Sequence, residues 1–262
     1  QEEKHMKKTT IISVANQKGG VGKTTTAFAI SSALVKKGFK VLMLDLDPQA
    51  SLTTYVGFEQ DDNPTITDLL LSVANNKPIS IEQAIRHSGK EDVYYIPSTI
   101  ALASAEFFLV SCFSRELVLK KVLRSEYINN FDYVIIDCLP SLGILLVNAL
   151  AASDKIIIPV QAQKLSLDGI GFLMDTINMV KENINSNIEI GGVIATMVDN
   201  TNMAKAVIEN LQECFANKFI GTISKCSEAT YSTYNQESLV YKKSKLGQQY
   251  QEIAERFIKE GK

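Results

Sequence analysis

The feature that most constrains this chain is a β-branched run, Thr9-Thr10-Ile11-Ile12-Ser13-Val14-Ala15, which stops at Asn16 and passes through a glycine-rich loop into a helical pattern. The run reads as a buried strand. Over residues 22–37 the apolar positions Ala27, Ile30, Leu34 and Val35 share one helical face, and Gly38 behind Lys36-Lys37 supplies a stop. Between strand and helix lies Asn16-Gln17-Lys18-Gly19-Gly20-Val21-Gly22-Lys23-Thr24-Thr25. Glycines let successive backbone N–H groups turn toward one point, and the helix start aims its positive dipole end at the same place. Lys23 is then placed to reach β- and γ-phosphates, and Thr24 offers a hydroxyl to Mg²⁺. A triphosphate cradle is the expectation. The general pattern asks for glycine five positions before Gly22, where this chain has Gln17, but the Gly-Lys-Thr core is kept.

Strand and helix patterns alternate through the rest of the chain. Residues 40–46 end at Asp45-Leu46-Asp47-Pro48, and residues 133–136 end at Asp137. Further strands are expected at 93–96, 155–160, 188–196 and 219–223, with helices at 167–180, 203–215 and 246–258. This order predicts an α/β fold, a single doubly wound and mainly parallel sheet with helices on both faces, over residues 9–262. Residues 1–8 are expected to be a flexible segment, with Met6 a candidate native start behind leftover residues. The polar, turn-rich stretch 57–78 is expected to be an exposed excursion. Asp45 and Asp47 are expected to point apart and to serve separately. The last helix carries Leu246, Tyr250, Ile253, Ala254, Phe257 and Ile258 on one side and charges of both signs on the other, so docking on the sheet is expected rather than a membrane anchor. Tyr231, Tyr234, Tyr241 and Tyr250 read as packing aromatics.

Composition excludes several classes. With 262 residues, 45% of them apolar, the chain can bury a core without disulfides or a structural metal. Its four cysteines, Cys112, Cys138, Cys214 and Cys226, form no Cys-x-x-Cys pair, which argues against a zinc ribbon or redox dithiol and for a reducing cytosol. A formal charge of −2 excludes a globally basic nucleic-acid binder but leaves room for a local patch. No apolar run approaches the ~20 residues of a spanning helix.

Three separated segments in one order are specific. Lys18-Gly19-Gly20-Val21-Gly22-Lys23-Thr24-Thr25, with a second lysine ahead of the glycines, is followed by Asp45-Leu46-Asp47-Pro48-Gln49 and then by Ile136-Asp137-Cys138-Leu139-Pro140-Ser141-Leu142-Gly143. Together they resemble the ParA/Soj branch of the deviant Walker A ATPases, relatives of MinD. The resemblance runs over nearly the whole chain, including Pro159-Val160-Gln161 and Thr196-Met197-Val198-Asp199. It implies a P-loop NTPase fold, ATP and Mg²⁺ as ligand and cofactor, and slow, partner-stimulated hydrolysis.

By the same resemblance, Lys18, Gly19, Gly20, Val21, Gly22, Lys23, Thr24 and Thr25 bind the nucleotide, and Lys18 reaches across a nucleotide-sandwiched homodimer to the partner's phosphates. Asp47 matches the carboxylate that places the attacking water, acting with Lys18 and Lys23. Thr24, Asp45 and Asp137 match the metal surroundings, Asp137 acting through water, since Mg²⁺ keeps part of its hydration shell. Leu139 stands where many relatives have proline. Met197 with Ser224 and Cys226 corresponds to the adenine site, although many relatives read Ile-Pro-Arg-Asn where this chain has Ile223-Ser224-Lys225-Cys226.

ParA-like dimers bind double-stranded DNA without sequence preference and are released by a ParB-type centromere-binding partner. The resemblance therefore implies a bacterial, cytoplasmic, nucleoid-associated protein that partitions a plasmid, chromosome or mobile element. Candidate DNA contacts are Lys205, Lys218, Lys225, Lys242, Lys243 and Lys245, the 242–245 cluster foremost, with Glu228 near a position where relatives carry arginine. The chain before Thr9 is too short for the helix-turn-helix of larger partition ATPases, so operator-specific repression is not expected. An iron–sulfur ATPase is disfavoured because only Cys138 lies near a nucleotide loop. The alternative is a membrane-surface positioning ATPase of the MinD type; stable membrane association is not expected.

Overall fold

The β-branched runs pair into one eight-stranded sheet in a computed structural model that describes residues 9–163 and 166–260. The expected flexible segment 1–8 lies outside the described residues. In chain order the elements are β1 (Thr10–Val14), α1 (Lys23–Lys36), β2 (Val41–Leu46), α2 (Ser51–Tyr55), α3 (Ile66–Ala74), β3 (Arg86–Ser88), β4 (Val93–Ile96), α4 (Ala101–Val110), α5 (Val118–Val122), β5 (Tyr133–Cys138), α6 (Ile144–Ala152), β6 (Lys155–Gln161), α7 (Ser166–Asn183), β7 (Glu189–Val198), α8 (Asn202–Phe215), β8 (Phe219–Ser224), α9 (Glu228–Tyr234) and α10 (Lys245–Glu260). The sheet order is β3-β4-β2-β5-β1-β6-β7-β8. Every pairing is parallel except β3 with β4. The expected doubly wound α/β architecture is found.

Successive side chains of a strand face opposite sides, so a sheet covered on both faces needs apolar residues at every position. Ile12, Val14, Ile135, Ile157 and Ile194 pack into a core with α1 and α10, whereas Val134, Ile136, Ile156, Ile158 and Val193 pack into a core with α6 and α7. Helix α10 docks as expected, burying Leu246, Tyr250, Ile253, Ala254 and Phe257, and Lys37 pairs with Glu255 at 2.7 Å. Lifting it away would forfeit about 1.5–3 kcal/mol for each large apolar side chain. Among the described residues no helix is long and apolar enough to cross a membrane.

Two expectations fail. Residues 57–78 are not simply an exposed excursion, because they contain α3, which buries Ile66, Leu69 and Leu70 behind a capping box formed by Thr65 and Asp68. The approach to α3 is pinned by the Arg86 guanidinium, which pairs with both Asp61 oxygens and donates to the Asn63 carbonyl at 2.9 Å. The aspartates and asparagine that read as loop are thus anion and carbonyl for one arginine fork. Of the four tyrosines, only Tyr250 is a packing aromatic; Tyr231, Tyr234 and Tyr241 are exposed.

The parallel register decides what meets at the C-terminal edge. Val14 and Asp45 are both aligned with Asp137 on the intervening strand β5. The loop after β1 therefore emerges beside the two aspartates, between β5 and β6, which lead away in opposite directions. Such a switch point leaves a crevice for a ligand.

Candidate functional site

The loop from Asn16 to Gly22 is held from outside by polar bonds. The Asn16 side chain donates to the Pro159 carbonyl at 2.8 Å and accepts from the Lys18 amide at 2.9 Å, while the Thr196 hydroxyl donates to the Val21 carbonyl at 2.8 Å. Gly20 and Gly22 adopt φ of +73° and +88°, and an added Cβ at either would meet open space. Their requirement is conformational. Gly22 leads into α1 with no side-chain cap, so the first amides of the helix are available to an anion.

Lys23 is buried at the base of this loop and donates to the Lys18 carbonyl at 3.0 Å. Burial holds its ammonium below the usual lysine range, with Asp137, Cys138 and Asp47 opposing. Asp137 is also buried, and neither carboxylate oxygen has a hydrogen-bond partner of good geometry. Its carboxyl is pushed well up, first by burial and then by Asp45; Thr24 and Lys23 partly offset this. A buried carboxylate with both oxygens unspent is costly unless something cationic completes it. The Thr24 hydroxyl and the Asp137 oxygens therefore fit a hydrated Mg²⁺. Among the described residues no cluster of three or more His, Cys, Asp or Glu side chains suits a metal.

Asp45 and Asp47 do not point apart. A spacing of two along a strand places side chains on one face, and both carboxylates raise the Asp137 carboxyl. Asp45, expected near the metal, has its oxygens engaged by the chain itself. Its Oδ2 accepts from the Thr53 amide and hydroxyl at 2.8 and 2.7 Å, and its Oδ1 accepts from the Asp47 amide at 3.1 Å. Burial nevertheless raises its pKa to about 6. Asp47, half-buried, accepts from the Gln49 amide at 2.9 Å and lines the cleft.

The cleft has a volume of about 340 Å³ and is walled by Gly19, Gly20, Gly22, Lys23, Thr24, Thr25 and Asp47, with Ser51, Tyr55, Pro140, Met197 and Thr233 beyond them. It adjoins a second cavity of about 230 Å³ through Gly22, Thr25 and Met197, where Ser224 and Cys226 join Ile223, Leu246 and Tyr250. The expected base residues are thus brought together beside the phosphate loop. Met197 has φ +52° where the β7–β8 register shifts, a conformation that is uncommon outside glycine. Ser224 is engaged by Gln249, donating its amide and accepting at its hydroxyl, both at 3.0 Å.

Sequence reasoning missed Ser51, Tyr55 and Thr233. The first two lie four residues apart just past Asp47, which is one helical face; nothing local points to Thr233. Val21 is fully buried and anchors the loop through its carbonyl. Lys18 is half-buried, and its side chain does not line the cleft of its own chain.

Within one copy the candidate DNA lysines are spread over different elements. Lys205 lies on α8, against one face of the sheet, and Lys218 follows the far end of that helix. Lys242, Lys243 and Lys245 precede or open α10 on the other face, and Lys242 pairs with Glu237 at 3.3 Å. Lys225 is exposed beyond β8.

Fold and site together define a P-loop nucleotide-binding protein whose loop carries two lysines. The profile of the AAA domain family matches residues 9–190. The chain is 41% identical over 215 residues to the sporulation initiation inhibitor protein Soj of Bacillus subtilis (strain 168), covering 81% of this chain and 83% of that one. Among solved structures it is similar to cobyrinic acid a,c-diamide synthase from Mycobacterium smegmatis with bound ATP analog and magnesium, at 32% identity and a TM-score of 0.81 over 97% of this chain and 98% of that one. It is also similar to a putative plasmid partition protein from Borrelia burgdorferi B31 bound to AMPPNP, at 27% identity and a TM-score of 0.80 over 97% of this chain and all of that one. The chain belongs to the ParA/Soj family of partition ATPases.

Proposed function

We propose that the protein is an ATP-dependent, dimerising switch that grips double-stranded DNA without sequence preference and lets go on hydrolysis. In that role it moves a plasmid, chromosome or mobile element with a ParB-type centromere-binding partner, at the nucleoid of a bacterial cytoplasm. The observation that carries this reading is the division of labour in one loop. Lys23 is drawn into the cleft and donates to the Lys18 carbonyl at 3.0 Å, whereas Lys18 is not among the residues that wall the cleft; we assign it to the phosphates of a second copy.

The chain's own groups account for a slow hydrolase. Lys23 binds β- and γ-phosphate oxygens, and the amides from Gly19 to Thr25 orient them. An anion at this point favours the charged form of Lys23 and so opposes the effect of burial. Thr24 contributes its hydroxyl, and Asp137 its unspent oxygens through water, to a bound Mg²⁺. The ion supplies neutralisation of the charge that phosphoryl transfer concentrates on those phosphate oxygens. Asp47 accepts a hydrogen bond from the attacking water and fixes its line of approach. Asp45 acts one step back, holding the Asp47 amide and, through Thr53, the start of α2. Met197, Ser224 and Cys226 enclose the base.

The test is sedimentation with nonspecific duplex DNA. The protein is expected to co-sediment with ATP and Mg²⁺ but not with ADP, and the ATP-specific pelleting is expected to vanish in Lys18→Ala. Equal pelleting with both nucleotides, or nucleotide-dependent binding to anionic liposomes without DNA binding, overturns the proposal.

A further inference from the structure

Helix α4 and the turn after it carry large apolar side chains that the described residues leave exposed. Phe107 is 82% exposed, Phe113 96% and Phe108 40%. The three rings leave about 400 Å² in contact with water, and exposed apolar surface of this order is often functional. A stable interface takes about 800 Å² from each partner, so the rings alone supply about half.

The position of the patch indicates its occupant. Helix α4 lies against the loop that follows Asp137, where the Glu106 carboxylate occupies the space that a Cβ on Gly143 would fill. The turn after α4 is tied to α6: Arg115 donates to the Val110 carbonyl at 2.9 Å, and Asn148 of α6 donates to the Arg115 carbonyl at 2.7 Å and accepts from the Leu119 amide at 3.0 Å. Pro140 of the same Asp137 loop lines the nucleotide cleft. The apolar surface is therefore attached to the rim that a second copy must approach to bring its Lys18 to this chain's phosphates.

Building on the ATP-bound dimer proposed above, we propose that Phe107, Phe108 and Phe113 form an apolar lobe of the interface between two copies, covered only when nucleotide draws the copies together. A twofold arrangement presents the same lobe from both sides, so an apolar patch can meet apolar surface without needing charge complementarity. Water is excluded beside the cleft as the lobe closes, while the Glu106–Gly143 contact keeps the lobe in register with the loop that carries Asp137.

The experiment uses the full chain with Asp47→Ala to block turnover, and compares it with the same chain carrying Phe107→Ser and Phe113→Ser. Both rings are exposed, so folding is expected to be unchanged, and thermal melting of the nucleotide-free proteins checks this. Analytical ultracentrifugation with ATP and Mg²⁺ is expected to show a dimer for the parent and a dimer dissociation constant at least tenfold weaker for the serine variant. Binding of a fluorescent ATP analogue to dilute monomer is expected to be equal. An equal dimer constant in the two proteins overturns the lobe and leaves the ATP dimer standing. Absence of a dimer in the parent overturns the dimer itself. An unchanged dimer together with lost stimulation by a partner protein also overturns the lobe and assigns the surface to that partner.

Discussion

Thr53 links the buried Asp45 carboxylate to the chain that follows β4, and replacing it by valine removes the link while keeping the side-chain shape. Its hydroxyl donates to Asp45 at 2.7 Å and accepts from the Ser98 amide at 2.9 Å. Thr53→Val thus deletes a bond to a charged acceptor, worth about 2 kcal/mol, and strands a buried N–H at about 1 kcal/mol. The expected loss of stability is about 3 kcal/mol at pH 7.5. Asp45 has a folded-state pKa of about 6, above the unfolded value of about 3.9. Its folded form therefore holds a proton that the unfolded chain releases, and the stability it contributes is present below about pH 4 and lost as pH rises through about 6. The Thr53 bond favours the charged form, so its deletion matters most when Asp45 is ionised. At pH 5, with Asp45 protonated, the loss should shrink to about 2 kcal/mol, a neutral bond being worth about 1. Urea unfolding of the nucleotide-free protein at the two pH values measures both numbers. A loss below about 1 kcal/mol at pH 7.5, or equal losses at both pH values, refutes the assignment of Asp45 as a buried anchor held by Thr53.

Three further outcomes are expected. Lys18→Ala should bind ATP as the parent does yet elute as a monomer in size-exclusion chromatography with ATP and Mg²⁺; a normal dimer removes Lys18 from the interface. Asp137→Asn should make the nucleotide-free protein more stable at pH 8, because a buried carboxyl that lacks a hydrogen-bond partner of good geometry and is disfavoured by burial and Asp45 is gone, while Mg²⁺-dependent turnover falls about 100-fold; retained turnover would show that the ion is held elsewhere. Cys226, exposed and lining the base cavity, should react with iodoacetamide several-fold more slowly when ATP and Mg²⁺ are present, by peptide mass spectrometry with exposed Cys214 as the internal control. Equal rates would place the base somewhere other than against Cys226.

The phosphate loop was legible because its chemistry is local. A strand, three glycines, a lysine and a threonine occupy consecutive positions, and backbone dihedrals at Gly20 and Gly22 enforce the turn regardless of the surrounding fold. Helix α10 was legible for a similar reason, since its apolar side is written at helical spacing. Helix α3 was hidden because Asp61 and Asn63, which read as loop residues, are partners of Arg86, whose role appears only when β3 is laid against β4. Tyr231 and Tyr234 misled in the other direction, since aromatic character predicts burial on average and neither side chain is buried.

Sequence by itself determined the α/β architecture, the phosphate loop, the family and the identity of the carboxylates, because periodicity and motif spacing act over a few residues. Tertiary structure decided which carboxylate is engaged by the chain itself. Asp45 and Asp137 are both buried and aligned on neighbouring strands, but Thr53 and the Asp47 amide satisfy the first, whereas the second is left with two unspent oxygens. It also decided that Thr233 shares a cleft with Gly19, and that Lys205 and Lys245 lie on helices covering opposite faces of the sheet. The Asp45 bonds are local, but its meeting with Asp137 and the place of Thr233 in the cleft join segments about ninety or more residues apart, and that information exists only once the sheet has fixed its strand order.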